Sequence, residues 1–89
     1  MAEKALRIQN RLGLHARAAA LFVQTANKFS SNVTIEKEGV EVNGKSIMGI
    51  MMLAAAKGSE VVIRAHGPDE NEAVGTIEKL IMDKFHEEA

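Results

Sequence analysis

The sequence has no cysteine and only one proline, Pro68, among 89 residues. Without cysteine there is no disulfide to staple the fold and no thiolate to hold a metal. The three histidines, His15, His66 and His86, are too scattered to read as a zinc-binding set, so no metal and no cofactor is expected. No apolar run approaches the ~20 residues that span a bilayer. The start, Met1-Ala2-Glu3-Lys4-Ala5, has no basic stretch leading into an apolar one, so no signal peptide is evident. An excess of one charge is missing too. Lys plus Arg is 11 and Asp plus Glu is 12, a net charge of −1, which does not fit a wholesale nucleic-acid binder. There is no Pro/Ser-rich linker, low-complexity tract or repeat to divide the chain. One domain over residues 1–89 is expected, too small for a multi-domain enzyme. The remaining possibilities are a small cytoplasmic binding module, a carrier or a minimal enzyme.

The apolar pattern changes period several times. Leu6-Arg7-Ile8 alternates and reads as a half-buried strand, and Asn10 to Leu14, with Gly13, reads as a loop. From Ala16, apolar residues at Ala19, Phe22, Val23, Ala26 and Phe29 recur at three- and four-residue spacing, one face of a helix, with Gln24, Asn27 and Lys28 opposite. Val33 to Glu36 and Val40 to Val42 alternate again. Glu38-Gly39 between them is a turn signal, which predicts a hairpin. After the turn Asn43-Gly44, Ser46 is placed to cap a short helix over Ile47 to Leu53. Val61 to Ala65 is the strongest strand, stopped by Gly67-Pro68. Asp69 and Glu72 have capping-box spacing ahead of a last helix with Ala73, Val74, Ile77, Leu80 and Ile81 on its apolar face. Lys79 and Lys84 come late in that segment and Glu70 and Glu72 early, as the helix dipole prefers. The economical arrangement is an α+β open-faced sandwich, a four-stranded antiparallel sheet with helices on one face and solvent on the other.

Gly39-Val40-Glu41-Val42-Asn43-Gly44-Lys45-Ser46 matches the pattern of a phosphate-binding P-loop. Its context argues against that function. Val40 and Val42 alternate around Glu41 as a strand does, Glu41 would repel phosphate, and the chain is too short for a parallel nucleotide-binding sheet.

The chemistry gathers at Gly13-Leu14-His15-Ala16-Arg17. A helix beginning near Ala16 exposes backbone N–H groups that lack partners. No Ser, Thr, Asp or Asn lies between Arg11 and Ala20 to cap them. Those amides and the positive end of the helix dipole favour an external anion such as phosphate. Arg17, in the same first turn, adds a fixed cation with geometry suited to phosphate oxygens, and Arg11 lies close in sequence. The same positive charges favour an uncharged His15 ring, which is a nucleophile. A phosphoryl group on His15 would bring negative charge to where the amides and Arg17 can receive it.

Gly13-Leu14-His15-Ala16-Arg17 followed by Ala19 resembles the active-site motif of the HPr family, the histidine-containing phosphocarriers of the bacterial phosphoenolpyruvate:sugar phosphotransferase system. Asn43, Lys45-Ser46-Ile47-Met48-Gly49 and Met51 resemble that family's second signature, and the resemblance runs from about Lys4 to about Lys84. It implies a fold of four antiparallel strands with three helices on one side. It implies that His15 takes phosphate at Nδ1 from phosphorylated enzyme I and passes it to enzyme IIA domains of sugar permeases, with Arg17 stabilising the phosphate and no cofactor needed. The implied protein is a cytoplasmic monomer and a carrier rather than an enzyme, bound neither to nucleic acid nor to membrane. Ser46 resembles the family's regulatory serine, modified by an HPr kinase/phosphorylase and read by a transcriptional regulator. Ile47, Met48 and Met51 would form the patch that docks enzyme I and enzyme IIA, flanked by Arg17 and Lys45. One departure is Ala18, where the family usually has proline; alanine keeps the helix but leaves its first turn less preorganised.

Two other readings stay open from the sequence. One is the nitrogen-related branch of the same system, which relays phosphate to regulators. The other is a regulatory interaction module acting through Ser46 alone, for which a nucleophile at His15 would be superfluous.

Overall fold

The computed structural model describes residues 1–87. In chain order the elements are β1 (Ala2–Arg7), α1 (Ala16–Ala26), β2 (Asn32–Lys37), β3 (Val40–Asn43), α2 (Ile47–Met52), β4 (Glu60–His66) and α3 (Glu70–Met82), followed by one tight turn over Lys84–His86. The strands form one antiparallel sheet in the order β1-β4-β2-β3. The hairpin between β2 and β3 turns at Glu38-Gly39, both with positive φ, which suits the right-handed twist of the strands it joins.

The register explains the two faces. Leu6 lies opposite Val61, Lys4 opposite Ile63, and Ile35 also opposite Ile63. Leu6, Val33, Ile35, Val61, Ile63 and Ala65 are buried under the helices. From above, α1 contributes Ala18, Ala19, Phe22, Val23 and Ala26, and α3 contributes Ala73, Val74, Ile77, Leu80 and Ile81. Each large side chain buried this way stabilises the fold by roughly 1.5–3 kcal/mol. The opposite sheet face is polar. There Arg64 on β4 pairs with Glu3 on β1, Glu36 on β2 and Glu41 on β3, so one guanidinium ties all four strands together.

Several local expectations are corrected. β1 begins at Ala2 rather than Leu6 and ends before Ile8, because its partner β4 offers a full ladder back to Ala65. α1 ends at Ala26, so Phe29 packs against the core from the following turn. The capping box before α3 does not form. Asp69 occupies the cap position without a side-chain bond to the helix; its carboxylate accepts from Ser30 N, Ser31 N and Ser31 Oγ. Glu70 instead folds back to accept from Gly67 N at 3.1 Å. Lys84 lies beyond α3, in the terminal turn. His66 and His86 are exposed. The Gly39–Ser46 segment is a turn, strand β3 and a second turn, not an open phosphate cradle.

Candidate functional site

The loop from Asn10 to Leu14 delivers the chain from β1 to α1. Its tightest point is Gly13, whose φ of +67° and position leave no room for a side chain: a Cβ there would lie 2.4 Å from the Ala55 carbonyl oxygen. Leu14 N donates to that same carbonyl at 2.9 Å, and the Leu14 side chain is buried. The loop is thereby pinned to the segment after α2, and α1 itself packs on α2. The chain leaves the loop at a fixed height, with His15 in extended conformation as the residue that caps α1.

No side chain closes this helix start. The His15 carbonyl accepts from Ala19 N at 2.8 Å, but the first turn receives no side-chain cap and contains no acidic residue. The dipole end therefore keeps its positive character toward solvent. Arg17 is exposed in this turn and makes no ion pair among the described residues. His15 is half-buried, and its Nδ1 lies 3.0 Å from the Gly13 carbonyl oxygen. A carbonyl only accepts, so Nδ1 carries the hydrogen in this arrangement. A nucleophilic ring, unpartnered amides and a free guanidinium thus share one helix start, which is the equipment for receiving an anionic group. Arg11 turns elsewhere, lining a surface cleft with Gln9, Lys57, Lys84 and Glu87.

The second group of residues surrounds α2. Ser46 caps it, with Oγ accepting from Gly49 N at 3.0 Å. Only Ile50 on this helix is buried. Ile47, Met48 and Met51 face solvent, and so does Met52; Met48 is 71% and Met52 78% exposed. The short helix thus presents an exposed apolar surface rich in methionine, a side chain that adapts to varied surroundings. Lys45 turns its ammonium onto the Phe29 carbonyl at 2.9 Å, partly buried. Two residues that the sequence did not point to lie behind His15. Asn10 is fully buried and bonds the Gly13 carbonyl and Glu87. Nothing in a loop asparagine or a terminal glutamate 77 positions away signals that contact.

The chain is similar to known proteins over nearly its whole length. The family signature described as "PTS HPr component phosphorylation site" matches residues 2–83. The chain is 48% identical over 88 residues to a phosphocarrier protein HPr of Xylella fastidiosa, covering 99% of each chain. The crystal structure of an HPr from Thermoanaerobacter tengcongensis superposes with a TM-score of 0.96 at 53% identity, covering 100% of both chains. A crystal structure of an HPr dimer from the same organism gives 0.79 at 53% identity, covering 98% of this chain and 100% of that one. With the family's site signature and fold both present from end to end, the chain belongs to the HPr family: it is a phosphocarrier of the phosphotransferase system, and not itself an enzyme.

Proposed function

We propose that His15 accepts a phosphoryl group from phosphorylated enzyme I and passes it to enzyme IIA domains of sugar permeases, in the cytoplasm, with the chain acting as a monomer. The observation that carries this reading is the start of α1, which has no side-chain cap and where Arg17 makes no ion pair among the described residues. In the transfer, a ring nitrogen of His15 uses its lone pair to form a bond to phosphorus. The bond from phosphorus to the donor breaks, and the donor keeps that electron pair. If Nδ1 is the acceptor, as in the family, the ring first releases the Gly13 carbonyl and its hydrogen passes through solvent to Nε2, which leaves the Nδ1 lone pair free for phosphorus. The negative charge that arrives is met by the first-turn amides and by Arg17. Ile47, Met48 and Met51 dock both partners, with Met52 widening the patch and Lys45 and Arg17 supplying charge at its border.

The test is incubation with phosphoenolpyruvate and enzyme I, followed by intact mass measurement. One acid-labile phosphoryl group is expected on the wild type and none on His15→Ala, with the fold of the variant intact. Undiminished labelling of the variant would move the nucleophile elsewhere. A second reading is favoured by the Ser46 cap: phosphorylation there by a kinase/phosphorylase of the HPr type would add charge at the edge of the docking patch and permit recognition by a transcriptional regulator. Transfer to enzyme IIA partners separates the sugar branch from the nitrogen-related branch.

A further inference from the structure

Two residues that the proposed relay does not use are tied to His15 by an unbroken set of hydrogen bonds. The Asn10 amide nitrogen donates to the Gly13 carbonyl at 2.7 Å and to Glu87 Oε2 at 3.0 Å. The Gly13 carbonyl is the one that accepts from His15 Nδ1. Glu87 Oε2 also accepts from Leu12 N at 3.4 Å, across the back of the same loop. The path therefore runs from the last described residue, through a buried amide, to the carbonyl on which the imidazole rests.

Two independent features mark this path as built rather than incidental. Asn10 is completely buried, yet its Oδ1 has no hydrogen-bond partner among the described residues. An orphaned amide oxygen is costly, and an apolar side chain would avoid the penalty. The amide nitrogen's two bonds are what the position gains in return. The second feature is the turn that brings Glu87 into place. Lys84, Phe85 and His86 all have φ between 55° and 58°, a left-handed turn without a glycine, which L-residues adopt only under constraint. Phe85, fully buried, anchors it in the core. The strained turn reverses the chain after α3 and returns the Glu87 carboxylate to the loop.

We propose that Asn10 and Glu87 are positioning residues for His15. Glu87 fixes the Asn10 amide, Asn10 fixes the Gly13 carbonyl, and that carbonyl holds the resting imidazole in one orientation with its hydrogen on Nδ1. The functional meaning rests on His15 being the phosphoryl acceptor; the geometric claim does not. In the resting state the ring is held in one orientation, and transfer at Nδ1 begins with its release from that carbonyl. The electrostatics agree. Hydrogen bonding from Asn10 chiefly holds the Glu87 carboxyl below its ordinary value, with the Leu12 and Arg11 amides also acting on it. Arg11, Lys57 and Lys84 line the same cleft as Glu87, which is the one carboxylate among the described residues that line it.

The test is nitrogen-15 NMR of the His15 ring in the full chain, which reads how the hydrogen divides between Nδ1 and Nε2. Asn10→Ala is expected to lower the Nδ1–H fraction to that of free histidine. Glu87→Ala should move this fraction the same way by a smaller amount, and Glu87→Gln, whose amide oxygen still accepts from Asn10, should restore it. Should Asn10→Ala fail to fold, Glu87→Ala, at a partly exposed position, carries the test. An Nδ1–H fraction that stays unchanged or rises in the folded variants overturns the proposal. The ring measurement requires no partner protein, so failure of the wild type to accept phosphate would defeat the relay reading and leave this one to stand or fall on its own.

Discussion

The Asp69 carboxylate reaches across to Ser31, 38 positions earlier in sequence, and receives both its backbone N–H and its hydroxyl. In return, Asp69 N donates to Ser31 Oγ at 3.2 Å. This reciprocal pair joins the entrance of β2 to the entrance of α3. Gly67 permits the approach, since a Cβ there would lie 2.6 Å from Ser31 Oγ. The Ser31 bond is the main reason that the Asp69 carboxyl is held below its ordinary value of 3.8.

A stability profile follows. The folded state binds the Asp69 proton less readily than the unfolded chain does, so this contribution is fully present above pH 3.8 and is lost as pH falls through the lowered native value. Thermal melts from neutral pH downward should show Asp69→Asn less stable than wild type at neutral pH, with the gap closing in acid. Glu70, held down chiefly by the N-terminal ammonium, keeps part of the acid dependence in the variant. A constant gap at every pH would remove Asp69 as an acid-sensitive link.

Ala54, just past α2, has φ of +50°. Left-handed backbone suits glycine at the end of a helix and costs an alanine roughly 1–2 kcal/mol. Ala54→Gly should therefore stabilise the chain by about 1 kcal/mol after the extra freedom of the unfolded glycine is deducted. For a domain of this size that is a rise in melting temperature of roughly 4–8 °C. A lower melting temperature would mean that the Ala54 methyl contributes packing that outweighs its backbone strain.

Arg17→Ala should slow phosphoryl transfer without unfolding the chain, because the side chain is exposed. Losing one charge-assisted contact in the transition state should cost about 2–4 kcal/mol. Rapid-quench kinetics read this directly. A slowing of less than about threefold would leave stabilisation to the helix amides and reduce Arg17 to steering.

At Ser46 two substitutions separate cap from charge. Ser46→Ala removes the acceptor for Gly49 N and should cost about 1 kcal/mol of stability. Ser46→Asp keeps a cap and adds charge favourable to the helix dipole, so stability should hold or rise by up to about 1 kcal/mol. It should nonetheless slow association with enzyme I, and the defect should shrink as salt rises past about 0.15 M. A defect of equal size at every salt concentration would rule out repulsion at the interface as its cause.

How much of this could be read from the residues depends on the range of each interaction. The helices over Ala19 to Ala26 and Ala73 to Ile81, the Glu38-Gly39 turn and the Ser46 cap are local, and periodicity or turn chemistry announces them. So is the uncapped start of α1, visible as the lack of any capping residue around His15. Two of the errors are long-range and the rest lie at element ends. Asp69 looks like a cap because its neighbours in sequence fit, but Ser31 offers more hydrogen bonds. Phe29 looks helical from its spacing, yet it packs from the turn after α1. Asn10 looks like loop filler until Glu87 and Gly13 meet around it, and no spacing rule links a residue near one terminus to a residue near the other.

The place of β4 in the sheet sets the order of assembly. Among the described residues it is the last strand to be synthesised, yet it stands between β1 and β2, and β1 pairs with no other strand. A growing chain that stops short of His66 can form the β2–β3 hairpin and little more of the sheet, while the apolar side of β1 waits uncovered. Folding is thus withheld until about three quarters of the chain exists and then closes over contacts far apart in sequence, the kind of topology that folds slowly for its size. The helix start that carries His15 is tied into this topology, since Leu14 of its loop bonds Ala55 in the segment that joins α2 to β4.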